Sequence, residues 1–224
     1  MNKSGMQRVA AQYNIVVINP DTSPRGSDHP NEHKDWDFGS GAGFYLDASA
    51  EPWSANYRMY SYVLEELLPT VNGCFNVDSE RAALSGHSMG GHGALVITLR
   101  NPDLFKCTTA LAPISNPSEG PWGVKAFSNF LGEDKSKWAE WDATELVKKF
   151  EGGPGKTPIN LLVCQGEKDR FLEKELLTGN FIEAAAGNPA IEMEYRMREG
   201  YDHFYPYIAT VIEEHFQYVA RFIC

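Results

Sequence analysis

The run Gly86-His87-Ser88-Met89-Gly90 constrains the fold most, because it places a serine between a short apolar strand and a helix. Residues 82–85 are typical of the end of a buried strand, and residues 91–100 have the small side chains of a closely packed helix. A serine in such a turn lies on strained backbone, and the glycines on either side relieve the crowding. Ser88 is therefore a candidate nucleophile, and the backbone N–H of Met89 is a candidate oxyanion donor.

Apolar strands and amphipathic helices alternate along the rest of the chain. A long loop over residues 19–52 is expected to shape a pocket. Helices are predicted at residues 4–13, 56–71 (with Ser54 as its N-cap), 175–186 and 205–222, and strands at 14–18, 106–112, 159–164 and 191–197. This alternation predicts an α/β protein with a mostly parallel sheet and helices on both faces. We expect a single domain over residues 1–224, with a loop and helical insertion at 113–158.

Composition excludes several classes of protein. The formal charge of −10 is spread along the 224 residues without a basic stripe, which argues against nucleic acid or an anionic membrane surface as partner. No apolar stretch is long enough to span a membrane, and the first residues lack the apolar core of a signal peptide, so we expect a cytoplasmic protein. The four cysteines lack metal-ligand spacing, so we expect reduced thiols and no metal site.

Two further residues complete a candidate catalytic set. Asp169 follows the strand predicted at 159–164, and His203 follows the strand at 191–197, so both lie at the carboxyl end of a strand, as Ser88 does. The chain order serine, acid, histidine is that of α/β-hydrolases. In such a triad His203 takes the proton of Ser88 and returns it to the leaving group, while Asp169 fixes the imidazole tautomer.

Each member also has a structural alternative. A serine after a strand can cap a helix, an aspartate after a glycine can belong to a turn, and a lone histidine is often a surface or core group. Asp202 is a rival to Asp169, but it is the immediate neighbour of His203 and is expected to point away from the imidazole. His87 and His92 flank the nucleophile without lying at a separate strand end, so packing roles are favoured for both.

Motifs over nearly all of the chain support one family. The chain resembles the S-formylglutathione hydrolases, also called esterase D. The matching segments are residues 20–26 (PDTSPRG), 36–45 (WDFGSGAGFY), 57–60 (YRMY), 86–93 (GHSMGGHG), 121–123 (PWG), 125–127 (KAF) and 200–203 (GYDH). The resemblance assigns catalytic roles to the same Ser88, Asp169 and His203. It implies hydrolysis of the thioester S-formylglutathione to glutathione and formate, a step of formaldehyde detoxification, without a cofactor.

The implied substrate suggests residues for its binding. A formyl group needs only a tight aromatic wall, and the candidates, each of which could equally be core, are Trp122, Phe44 and Tyr45. The carboxylates of glutathione need local positive charge, and the candidates are Arg25, Lys34 and Lys125. A small glutathione thioester is thus the expected partner, and homodimer formation is left open.

The chain departs from the family at its first residues. Family members begin with further strands and a loop that supplies a second oxyanion donor, whereas this chain opens at the helix after that loop. We therefore expect an N-terminally truncated α/β-hydrolase fold, with a gap between residues 14–18 and 82–85. Two alternative functions stay open: a broad carboxylesterase for small acyl esters, and a catalytically impaired truncated isoform.

Overall fold

A single parallel sheet organises residues 3–224, the part of the chain that the computed structural model describes. Its strands are β1 (Ala83–His87), β2 (Cys107–Leu111), β3 (Ile159–Gly166) and β4 (Ile191–Arg198). They lie side by side in chain order, and each pairs in parallel with the next. All four carboxyl ends therefore meet at one edge of the sheet, where the candidate residues follow.

Helices connect and cover the strands. The α-helices are α1 (Met6–Gln12), α2 (Met59–Ser61), α3 (Leu68–Cys74), α4 (Met89–Arg100), α5 (Pro121–Leu131), α6 (Ala143–Lys148), α7 (Thr178–Ala185) and α8 (Tyr205–Ile223). A π-helix at Tyr62–Leu67 joins α2 to α3, and another covers Leu172–Leu176. Shorter 3-10 helices lie at Lys135–Glu140 and Pro154–Lys156.

The core lies on both faces of the sheet. All five residues of β2 are buried, which requires cover on each face, since successive side chains of a strand point to opposite sides. Helix α4 packs on β1 and β2, while α8 packs on β2 and β3. The four cysteines are unpaired thiols, and Cys107 and Cys164 are buried within strands, where burial raises the thiol pKa to about 12 and about 11 respectively.

The prediction of a strand at residues 14–18 is wrong. These residues belong to neither a strand nor a helix, and Val16 and Ile18 are 56% and 39% exposed. A cavity of about 1050 Å³ lies between this segment and the edge of β1 that faces away from β2. A β-strand needs a hydrogen-bonded neighbour, and across this cavity the segment has none, so its β-branched residues stay extended without joining the sheet.

The start of the helix predicted at residues 56–71 also needs correction. The helical stretch begins at Met59 and runs through the π-helix to Cys74. Ser54 does not cap it, because its hydroxyl donates to Glu51 Oε1 at 2.6 Å. The remaining predicted elements appear with bounds shifted by a few residues, and residues 19–52 form no helix or strand, only isolated bridges.

Candidate active site

The strand-to-helix turn holds Ser88 in an unusual backbone conformation. Its φ of 57° and ψ of −115° lie outside the regions that a non-glycine residue ordinarily adopts. The turn is tight, because a Cβ on Gly86 would lie 2.0 Å from the carbonyl oxygen of Gly90. Gly90 itself has open space around it, whereas a Cβ on Gly91 would lie 2.8 Å from Pro113. The sequence predicts crowding at both Gly86 and Gly90. The structure shows it at Gly86, and at Gly91 in place of Gly90.

A chain of two hydrogen bonds joins three side chains at this edge of the sheet. His203 Nδ1 lies 2.6 Å from Asp169 Oδ2, and His203 Nε2 lies 3.0 Å from Ser88 Oγ. When Nδ1–H donates to the carboxylate, Nε2 is left as the acceptor for the serine O–H. The hydroxyl makes no capping bond to helix α4. The geometry thus joins the three residues that the sequence singled out and gives the serine a role other than the helix cap.

Asp169 is held by donors other than the imidazole. The backbone N–H of Phe171 donates to Oδ1 at 2.9 Å, and the Gln165 amide donates to Oδ2 at 3.1 Å. Gln165 is in turn fixed by the hydroxyl of Thr178, which donates to its Oε1 at 3.0 Å. Burial by itself raises the pKa of Asp169, but the hydrogen bond and electrostatic attraction of His203, together with these two donors, outweigh it and lower the pKa below its usual value. The carboxylate is therefore ionised near neutral pH.

The rival carboxylate has a different partner. Asp202 Oδ1 accepts the backbone N–H of Phe204 at 2.9 Å, which makes it part of the turn before α8. This turn fixes the backbone on both sides of His203 and leaves the imidazole to Asp169.

The two histidines on either side of Ser88 bond to backbone carbonyls. His87 Nε2 lies 3.1 Å from the carbonyl oxygen of His203, and the two rings are 4.6 Å apart. Burial, followed by repulsion from His203, lowers the pKa of His87 from 6.5 to about 4, so its ring is neutral and donates to that carbonyl. His92 Nε2 lies 2.8 Å from the carbonyl of Trp141, deep in the core. Both therefore have packing roles in this structure.

Met89 begins helix α4 directly after the serine. The first N–H groups of a helix have no acceptor within it, and they carry the positive end of the helix dipole. The N–H of Met89 is therefore free of the helix ladder and adjacent to Ser88, which is the arrangement that an oxyanion donor needs.

Aromatic rings extend from the imidazole toward solvent. Phe171 packs edge-on against His203 with ring centroids 5.1 Å apart, and Trp122 packs on Phe171 at 4.7 Å. Trp36, which is 77% exposed, lies edge-on to Trp122 at 5.3 Å. Phe171 is a site residue that sequence reasoning missed. Its position two residues after Asp169 could have indicated it, because a turn that presents a carboxylate to an imidazole also brings the next side chains close.

Comparison with known proteins agrees with this geometry. A family model described as "Putative esterase" matches residues 1–218. Curated S-formylglutathione hydrolases from Mus musculus and Bos taurus are 50% and 48% identical over 224 residues, which is 100% of this chain and 78% of each relative. A solved S-formylglutathione hydrolase from Agrobacterium tumefaciens is 44% identical with a TM-score of 0.93, over 100% of this chain and 79% of that one. The chain belongs to the S-formylglutathione hydrolase family of esterases. The predicted α/β-hydrolase fold and family resemblance are thereby confirmed.

Two residues proposed for the acyl wall of this esterase lie in its core. Phe44 is 2% exposed and packs against His92 and Phe127. Tyr45 is 9% exposed and lies against Gly93, where a Cβ would come within 2.4 Å of the tyrosine ring. These contacts correspond to the core alternative that the sequence left open. Trp122 is the one of the three candidates that the rings connect to His203.

Two of the three cations proposed to bind the substrate of this esterase are already paired with carboxylates of the protein. Arg25 donates two hydrogen bonds to Asp21, at 2.7 and 2.9 Å. Lys125 Nζ lies 2.7 Å from both Asp35 and Asp37. Lys34 is exposed and makes a backbone hydrogen bond to Asn31. No hydrogen bond or ion pair found among residues 3–224 joins Arg25 or Lys125 to the triad.

The described part of the esterase, residues 3–224, contains neither a candidate metal site nor a candidate membrane span. Within residues 3–224 no group of three His, Cys, Asp or Glu side chains is arranged to hold a metal ion. None of the helices described in that range is both long and apolar enough to cross a membrane.

Proposed function

We propose that the chain is a serine hydrolase that cleaves S-formylglutathione to glutathione and formate. The observation that carries the proposal is the hydrogen-bonded series from Asp169 through His203 to Ser88, whose serine sits on strained backbone at the start of a helix. The curated relatives and the solved neighbour that bear the name S-formylglutathione hydrolase support the choice of substrate.

In the first half of the reaction Ser88 forms a formyl-enzyme. His203 Nε2 accepts the hydroxyl proton while Oγ attacks the formyl carbon, and the carbonyl oxygen becomes an oxyanion. The N–H of Met89 stabilises that charge. When the carbon–sulfur bond breaks, the imidazolium gives its proton to the departing thiolate and glutathione leaves. Asp169, ionised because its pKa is low, stabilises the imidazolium in the transition states.

In the second half water takes the place of the thiol. His203 accepts a proton from the water as its oxygen attacks the formyl ester, and it returns the proton to Ser88 Oγ when the ester bond breaks. Formate is released and the starting hydrogen bonds are restored. A formyl group has no side chain and needs only a small pocket, and Trp122 remains the proposed residue for its wall.

The test is hydrolysis of S-formylglutathione by the purified chain and by Ser88→Ala. The parent should release glutathione and formate in equal amounts. The variant should lose about four to six orders of magnitude in kcat with an unchanged circular dichroism spectrum, because it lacks the nucleophile. Labelling with a fluorophosphonate probe, located by peptide mass mapping, should modify Ser88 in the parent.

The same experiment can contradict the proposal in two ways. Parent-like turnover by Ser88→Ala would remove the serine from the mechanism. Turnover of p-nitrophenyl acetate without turnover of S-formylglutathione would assign the chain to general esterases instead. A cytoplasmic location remains a prediction of the sequence, which leaves homodimer formation open.

A further inference from the structure

The leaving group of the proposed reaction is an anion that needs a cation near it. At neutral pH the glutathionyl group carries two carboxylates and one ammonium group, while the protein has a formal charge of −10. An acidic protein binds such a ligand only where a local positive charge faces it. Arg25 and Lys125 are poor candidates, because Asp21 neutralises the first and Asp35 with Asp37 neutralises the second.

Arg170 is differently placed. Its guanidinium carbon lies 4.7 Å from the centroid of the Phe171 ring and 5.4 Å from that of Phe204. Those two rings flank the imidazole of His203, at 5.1 and 6.4 Å between centroids. The guanidinium therefore lies on the aromatic surface that surrounds the proton-transferring group, immediately after Asp169 in the chain.

The charge of Arg170 is also available to a ligand. The side chain is exposed, and no carboxylate among residues 3–224 lies within ion-pair distance of it. Stacking on two rings restricts the guanidinium while leaving its N–H groups free to donate, and such a planar fork binds a carboxylate through two parallel hydrogen bonds. The neighbouring Lys168 differs, since its Nζ lies 3.6 Å from Glu167.

The direction of the reaction places the leaving group on this side. His203 protonates the departing sulfur, so the sulfur lies beside the imidazole, and the surface formed by Phe171, Phe204 and Arg170 is within reach of the rest of glutathione. We infer that Arg170 binds a carboxylate of the glutathionyl leaving group and so selects glutathione thioesters over uncharged esters. The inference rests on the proposed function and adds to it a substrate-binding residue.

The experiment compares the parent with Arg170→Gln, Arg170→Lys and Lys168→Gln. Each protein is assayed with S-formylglutathione and with p-nitrophenyl acetate, which has no carboxylate to bind. For Arg170→Gln the ratio of kcat/KM for the thioester to that for the ester should fall about 10- to 100-fold, mostly through KM, because a hydrogen-bonded charge pair is lost. Arg170→Lys should recover part of the ratio, and Lys168→Gln should stay within about twofold of the parent.

Inhibition by a substrate analogue gives a second measurement. S-methylglutathione should inhibit p-nitrophenyl acetate hydrolysis by the parent more strongly than its dimethyl ester does. The two compounds should inhibit Arg170→Gln equally weakly. An unchanged ratio in Arg170→Gln would overturn the inference. If both substrates lost activity equally, Arg170 would only support the two rings, and if neither did, it would not contribute to binding. If the parent hydrolyses the ester but not S-formylglutathione, the proposed function fails together with the inference. If the parent cleaves the thioester and Arg170→Gln keeps its ratio, the inference fails alone.

Discussion

The two aspartates near His203 show how single residues divide the work at this site. Asp169 bonds to the imidazole and to two further donors, whereas Asp202 accepts the N–H of Phe204 in the adjoining turn. Both were candidates to bond the imidazole, so their hydrogen-bond partners decide which of them can orient the ring.

Replacing each aspartate by asparagine should separate the two roles. Asp169→Asn is expected to lower kcat by about 10⁴, because the amide favours the wrong imidazole tautomer and cannot stabilise the imidazolium. Asp202→Asn keeps a carbonyl acceptor for Phe204 and should change kcat by less than about threefold. Steady-state assays on S-formylglutathione give both values. A large loss in Asp202→Asn with a small one in Asp169→Asn would reverse the assignment.

At the residue scale the sequence predicts the polar members of the site better than the apolar ones. Ser88, Asp169 and His203 could be picked out because each follows a strand and their order along the chain is informative. Phe171 was missed although its position two residues after Asp169 was a signal, because its contact with His203 depends on which rings pack together in space. The same reason explains Phe44 and Tyr45, whose aromatic character fits a pocket and a core equally well.

The turn that holds Ser88 is the element in which local geometry matters most. Its five-residue pattern has two glycines that look equivalent in sequence, yet only Gly86 faces a neighbouring backbone atom at close range. The structure therefore assigns different tolerances to the two positions.

Alanine at each glycine should reveal this difference. Gly86→Ala would bring a methyl group 2.0 Å from the Gly90 carbonyl, so the turn must shift, with a loss of about 1–3 kcal/mol in unfolding free energy and most of the activity. Gly90→Ala meets no atom within 4 Å and should stay close to the parent in both. Urea denaturation and kcat/KM provide the comparison, and equal damage from the two substitutions would show that the turn geometry is different.

Elements were predicted well where an apolar run has a neighbour to pair with. The strands that became β1 to β4 appear within a few residues of their predicted bounds. Residues 14–18 have the same β-branched composition but lack a partner, and composition alone does not report pairing. The start of the helical stretch at Met59 was missed because the Ser54 hydroxyl bonds to Glu51 instead of the backbone.

Across the whole molecule, the buried His92 and His215 and the half-buried His87 make stability depend on pH. Burial, with repulsion from nearby cations at His215 and from His203 at His87, lowers the pKa values of His87 and His92 to about 4 and that of His215 to about 3. An unfolded histidine titrates near 6.5. Between these values the unfolded chain binds more protons than the native one, so stability is complete above pH 6.5 and declines as the pH falls toward 4.

His215 offers the sharpest test of this dependence. Neither of its ring nitrogens has a hydrogen-bond partner in the described part of the chain, so His215→Leu removes no hydrogen bond found there. At pH 7 the variant should be at least as stable as the parent. Between pH 7 and pH 5 it should lose about 2 kcal/mol less than the parent does. Urea titrations at the two pH values measure the loss, and identical losses would mean that His215 binds protons as readily in the native state as in the unfolded one.

The cavity beside β1 has a mechanical consequence. Residues 14–18 share no strand pairing with the sheet, so this segment can move away from β1 without breaking a ladder hydrogen bond. The turns that hold Ser88, Asp169 and His203 follow β1, β3 and β4. In the sheet β1 pairs with β2, β2 with β3, and β3 with β4. The cavity is lined by Gly86, His87 and Gly90, which surround Ser88, whereas Asp169 and His203 follow strands on the far side of β2. A displacement of this flank would therefore reach the serine before it reaches the other two side chains.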